Sequence, residues 1–234
     1  MERLADLFVE VADTLVADFD LIDFLQSVAL HAVEVSDQAT VGVLLSDQAG
    51  RLHHMGASNE DARVLELLQL QNDEGPCLDC YQSGQPVVHL DLAEDPPWPM
   101  FAARATELGF VSVHAFPLRL RDRVIGALNV FRPDARSLSP EEQRVIQALA
   151  DCATIAIIQE QAIARAEVVT EQLQAALASR IVIEQAKGAV ARTFGVSVDA
   201  AFEMIRSHAR STNQRLADVA QVLVTDHQGM DALR

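Results

Sequence analysis

The sequence predicts an α+β domain with a mostly antiparallel sheet, then a long coiled-coil helix leading into an all-α three-helix bundle. Three observations carry that expectation. Apolar residues repeat at three and four near both ends of the chain, but alternate or run together in short β-rich stretches between them. Glycine and proline are absent from 141 to 187, a run of 47 residues. The charge also divides: residues 1–165 carry 26 acids and 11 bases, while residues 173–225 carry 4 acids and 6 bases.

The elements follow in order. Leu4, Leu7, Phe8, Val11 and Leu15, then Leu21, Phe24, Leu25, Val28 and Ala32, make the first 36 residues helical by their spacing. Ala39–Leu45 is a β-rich run, 46–50 a turn and Leu52–Ala57 a second strand. Asn59 stands as the N-cap of a helix over Glu60–Gln71. Residues 72–80 read as a loop and 85–90 as a strand. Pro96, Pro97 and Pro99 break the chain before a short helix at Met100–Leu108. Phe110–Leu120 and Val124–Phe131 are long strands, joined by Arg121-Asp122-Arg123 as a hairpin. Together these make one domain over 1–138.

Ser139 and Pro140 supply an N-cap and a proline at the first position of the long helix. Along it Ile155, Ile158, Ala162, Val169, Leu173 and Ala176 keep close to a 3–4 repeat, with Arg165 or Ala166 at a weak turn. One helix pairing with its copy in a parallel homodimer is the simplest reading; two helices with an unmarked break is the other. The helical linker is placed at 139–177. Gly195 ends the long helix, and Ser197 caps a second that buries Ala201, Phe202, Ile205 and Ala209. Asn213 caps a third, with Leu216, Val219, Ala220 and Leu223 inward. The bundle spans 178–226 and leaves 227–234 as a tail.

Composition narrows the function. Half of the 234 residues are apolar, which excludes a disordered chain. A net charge of −16 argues against coating lipid or nucleic acid with the whole surface, yet leaves room for a small positive site. Acids interrupt every apolar run of the first 15 residues, so they lack the regions of a signal peptide. No apolar run reaches the roughly 18 residues of a membrane span. Three cysteines do not make a disulfide framework. The expected setting is the cytoplasm, with no membrane partner.

Near the end of the chain Ala178–Gly188, Phe194–Phe202, Ile205–Ala209 and Leu216–Ala220 keep an Ala-Lys-Gly step, an Ala-Ala-Phe step and an Asp-Val-Ala step in order. This stretch, roughly 170–225, resembles the ANTAR domain. The front, roughly 20–160, resembles a GAF domain, a sensory relative of the PAS fold, through its element order, Glu74-Gly75-Pro76-Cys77 and Val124–Asn129. Together they look like an actinobacterial GAF–ANTAR regulator. The resemblance implies a GAF-like sensory domain open to a small ligand or a protein. It further implies an RNA-binding tail that engages hairpins in structured leader RNA and lets transcription pass terminators, with no catalytic step and no cofactor.

The residues bear on this independently. Arg180, Glu184 and Lys187 share one face at i, i+4 and i+7, while Ile183, Ala186, Val190 and Phe194 face a core. Arg206 and Arg210 lie one turn apart, on the side away from Phe202 and Ile205. These four cations suit phosphate contacts, with Gln185 and Ser211 as added polar groups. From charge alone, a solvated face with an Arg180–Glu184 pair is the competing account; the resemblance favours RNA. No aromatic is expected on the polar face, so base stacking is not the expected mode. Lys187 is the single lysine beside 17 arginines.

Other signals are weaker. Cys77-x-x-Cys80 has no second pair for zinc, and Cys152 sits on an apolar helical stripe. A methionine sulfoxide reductase built on the GAF fold and using Cys77 and Cys80 is one alternative. A GAF domain coupled to DNA binding is another, although 216–224 offers only Asp218 and Gln221 as polar groups. His53 and His54 point to opposite faces of a strand, and His31, His89 and His114 are expected as satisfied core histidines. No metal site is expected.

Overall fold

A computed structural model describes residues 20–37, 39–94, 96–225 and 233. The helical reading of residues 1–19 and most of the 227–234 tail lie outside the described residues. The chain divides into two compact units between 160 and 161. The helices are α1 (Leu21–Ser36), α2 (Glu60–Asn72), α3 (Pro76–Ser83), α4 (Pro99–Glu107), α5 (Pro140–Phe194), α6 (Val198–Ser211) and α7 (Leu216–Thr225). The strands are β1 (Thr40–Ser46), β2 (Leu52–Ala57), β3 (Val87–His89), β4 (Ser112–Leu120) and β5 (Arg123–Arg132).

In the first unit the five strands form an antiparallel sheet in the order β2-β1-β5-β4-β3. The three inner strands, β1, β5 and β4, bury both faces over most of their length because helices cover both sides, while the edge strands β2 and β3 stay partly exposed. On one side Val41, Val43, Phe116, Leu118, Leu128 and Val130 pack against Phe24, Leu25 and Val28 of α1 and Ile146, Leu149 and Ala153 of α5. On the other, Phe131 and Val113 pack against Leu65 of α2 and Phe101 of α4. Leu44, Ala115 and Ala127 pack there against Cys77 and Cys80 of α3. Burying such side chains gives about 1.5–3 kcal/mol each, which makes the sheet the stable part of the unit.

Local signals set the ends of the elements. Asp20 caps α1 by accepting from the N–H groups of Ile22 and Asp23 (2.8 and 3.0 Å). Asn59 caps α2 by accepting from Ala62 (3.0 Å). Ser139 and Glu142 form a reciprocal capping box at the start of α5: Glu142 N–H donates to Ser139 Oγ (3.1 Å), and Ser139 N–H to Glu142 Oε2 (2.6 Å). From there α5 runs as one helix to Phe194, so the alternative with an unmarked break is not what forms. Gly195, at φ 67, closes it, with Val196 N–H donating to Ala191 O (3.1 Å).

Three expectations are corrected. Residues 72–80 are not all loop, because α3 starts at Pro76. Pro76 stands at the first helical position after Gly75, and eight residues are too few to show a period in the sequence. Asn213 does not cap α7; it takes φ 53 and closes α6, with Gln214 N–H donating to Ala209 O (2.9 Å). His114 is fully buried on β4, and neither ring nitrogen has a hydrogen-bond partner. Burial and the nearby Arg132 guanidinium pull its pKa down to about 4, so the ring is neutral.

In the second unit the last part of α5 packs with α6 and α7. Its core is Ala186, Val190, Ala201, Ile205, Ala209, Val219, Ala220 and Leu223, with Leu233 packed against it. Among the described residues no helix is long and apolar enough to cross a membrane.

Candidate nucleic-acid interface

The small core of the second unit decides which side chains reach water. Alanines at 186, 201, 209 and 220 let the helices approach closely and leave the long side chains on the outside. On α5, Arg180 and Gln185 are exposed, while Lys187 is only 17% exposed. On α6, Arg206 is partly exposed, and Arg210 and Ser211 are exposed. Ser211 Oγ donates to His208 O (2.9 Å), so its hydroxyl already serves the end of α6.

Lys187 is held in place. Its ammonium donates to both carboxylate oxygens of Glu184, at 2.9 Å each, and stands 5.6 Å above the ring of Phe202 on α6. Glu184 therefore pairs with Lys187 rather than with Arg180, its partner in the competing account of this face. Phe202 is half-buried instead of lying in the core. An aromatic thus stands beside the cations after all, with an ammonium over its face. Arg206 lies one turn beyond Phe202, and its Nη1 donates to Glu203 Oε1 (3.2 Å). Arg215 pairs likewise with Asp218 (3.1 Å). Arg180, Arg192 and Arg210 form no ion pair among the described residues. The bundle thus offers two kinds of cation, those already paired with an acid three residues away and those with none.

The helical stripe is exposed. Every residue from 162 to 178 is exposed. Val169 (53%) and Leu173 (66%) are open to solvent on the same stripe as Ala162 and Ala176. Ile155 is 41% exposed, and Ile158 is half-buried against the core of the first unit. Ile163, Val168, Leu177 and Ile181, which the repeat did not single out, are exposed as well.

The thiols are packed. Cys77 and Cys80 are fully buried in a cluster with Leu44, Ala115 and Ala127. Burial raises the Cys77 pKa well above the ordinary thiol range and pushes Cys80 to about 12. Neither can supply a thiolate to a substrate near neutral pH, which removes the support for the reductase alternative. Among the described residues no group of His, Cys, Asp or Glu is arranged to hold a metal ion.

Buried polar residues that sequence reasoning missed lie in the first unit. Glu66 and Gln69 of α2 are fully buried polar side chains. Their signal was their register: 62, 65, 66 and 69 share one helical face, and two of the four are polar.

Comparison with known proteins agrees with this architecture. The GAF domain family matches residues 20–158, and the ANTAR domain family matches residues 171–224. No curated protein matches the chain. Among solved structures, the GAF domain of a phosphoenolpyruvate-protein phosphotransferase from Coxiella burnetii is similar at 15% identity, covering 69% of this chain and 96% of that one, with a TM-score of 0.53. The GAF domain of an Acinetobacter phosphoenolpyruvate-protein phosphotransferase is similar at 15% identity, with 70% and 97% covered and a TM-score of 0.51. A third GAF domain of a Synechocystis protein, in its photoproduct state, is similar at 13% identity, with 62% and 98% covered and a TM-score of 0.52. At these identities the likeness concerns the fold.

Proposed function

Because the chain belongs to the GAF domain family and carries an ANTAR domain behind it, we propose that it is a signal-responsive regulator that binds hairpin RNA and prevents transcription termination. The observation that carries the reading is the ANTAR match over 171–224, a stretch of an acidic chain in which 6 bases stand against 5 acids. Arg180 and Arg210 make the first phosphate contacts, since no acid has to be displaced from them. Lys187 and Arg206 join by exchanging Glu184 and Glu203 for phosphate, and Gln185 and Ser211 add polar contacts. No chemical step is part of the proposal, and the setting is the cytoplasm.

The protein acts as a homodimer through Ile155, Ile158, Ala162, Val169, Leu173 and Ala176. What supports this is the exposed stretch 162–178, where Val169 and Leu173 stand open to solvent on the apolar stripe that a second copy of the helix would cover. Small residues in the seam keep the pairing weak enough for a sensory domain to shift it.

Gel-shift binding of a panel of hairpin RNAs against matched duplex DNA tests the function. Hairpins are expected to bind and to outcompete the duplex. Equal binding of both would favour a DNA-binding regulator, and binding of neither would remove the reading.

A further inference from the structure

The two stretches that carry the GAF resemblance, Glu74–Cys77 and Val124–Asn129, meet at a buried polar cluster in the first unit. Glu66 on α2 lies against the sheet with no exposed surface. Asn129 Nδ2 donates to its Oε1 and Gln69 Nε2 to its Oε2, both at 2.9 Å. Cys77 N–H donates to Gln69 Oε1 (2.9 Å), which fixes the end of that amide facing Glu66. Gly42, directly across the ladder from Asn129, makes the space, since a Cβ there would overlap the Glu66 carboxyl. Gly75, at φ 145, clears Gln69 in the same way.

The site suits two states of one group. Two amide donors are what a carboxylate requires. A buried carboxylate without a cation is nevertheless costly, and Glu66 forms no ion pair among the described residues. The groups facing it are Gly42 of β1, Asn129 of β5, Gln69 of its own helix and the Cys77 thiol of α3, which is itself held neutral. Burial raises the Glu66 pKa to about 8, with the Asn129 amide pulling the other way. Asn129 Oδ1 is buried without a hydrogen-bond partner. A half-turn of that amide brings Oδ1 to Glu66 Oε1, where it accepts the O–H of the neutral acid.

We propose that Glu66, Asn129, Gln69 and Cys77 form a proton-binding site of the sensory unit, in which Glu66 exchanges one proton with solvent and Asn129 turns its amide to match. In the protonated state the acid donates to Asn129 and accepts from Gln69. On release the O–H bond breaks, the proton leaves to solvent and the carboxylate accepts from both amides. The new charge lies beneath α3, whose first amide is tied to the same Gln69, so α3 loosens from the sheet. It also bears on β5, where Leu128 and Val130 flank Asn129 and pack on the other face against the first turns of α5. The proton is thereby a candidate input to the root of the long helix.

The test uses the full chain and no RNA, so its outcome is independent of the RNA reading. The Glu66 carboxyl carbon is followed by NMR from about pH 3.5 to 10 and assigned by its loss in Glu66→Gln. A midpoint near 8 is expected, rising further in Asn129→Ala, which removes a donor to the ionised form. A midpoint in the ordinary glutamate range would overturn the proposal, as would an unchanged or lowered midpoint in Asn129→Ala. Amide exchange of α3, corrected for intrinsic rates, is expected to quicken about tenfold across that midpoint in the wild type and not in Glu66→Gln. Exchange that stays flat in the wild type would overturn the switching role. If Glu66→Gln does not fold, assignment through Gln69→Ala leaves the wild-type midpoint to decide.

Discussion

Glu66 and His114 are both fully buried, yet they bend the stability of the first unit in opposite pH directions. Glu66 has its folded pKa raised to about 8, so its contribution is complete below the unfolded value and is lost as pH rises through 8. His114 has its folded pKa depressed to about 4, so its contribution is present above the unfolded value and is lost as pH falls through 4. Each slope is about 1.4 kcal/mol per pH unit within its window. Denaturant unfolding at pH 5, 6.5 and 8 is expected to show stability falling between 6.5 and 8 in the wild type and staying level in Glu66→Gln. The glutamine can accept from Gln69 and donate to a turned Asn129, so the substitution leaves no polar group orphaned. On the RNA side, Glu184→Gln frees the Lys187 ammonium and is expected to tighten hairpin binding. Lys187→Ala is expected to weaken binding and lower the melting temperature together, because its ammonium also stands over the Phe202 ring and pairs with Glu184.

Helix α5 and helix α3 show what a sequence discloses and what it hides. The Ser139 cap of α5, the proline at its first position and its glycine stop at 195 are local chemistry, so both of its ends were legible. Helix α3 is eight residues long, and its stability comes from docking Cys77 and Cys80 on Leu44, Ala115 and Ala127, residues distant in the chain. The buried role of Glu66 was hidden differently. Val64, Leu67 and Leu68 give α2 a second apolar face, so the sequence did not say which face is inward. The cations of the bundle were legible as a set, but their pairing was not, because i, i+3 and i, i+4 partners compete on one helix surface. Two predictions belong here. Val169→Asp with Leu173→Asp is expected to shift sedimentation from dimer to monomer at tens of micromolar, leave the far-UV signal of the sheet intact and weaken RNA binding. Cys77→Ala with Cys80→Ala is expected to lower the melting temperature by opening a cavity under α3 while hairpin affinity is retained. Lost affinity in a folded double variant would return the thiols to the mechanism.

The chain as a whole joins a strongly acidic unit to a small one whose charges balance. Its net charge of −16 repels nucleic acid at long range, so RNA binding has to come from short-range contacts of a few cations. That makes the salt dependence of binding a count of those contacts. The deciding measurement is hairpin RNA affinity of the full-length protein across a series of salt concentrations, for the wild type and for Arg180→Ala with Arg210→Ala. Circular dichroism first shows the helices intact. The double variant is expected to bind every hairpin more weakly and to lose roughly 1.4 in log–log slope, two contacts at about 0.7 each on single-stranded RNA. An unchanged affinity and slope would contradict the account and move the RNA site off this bundle face.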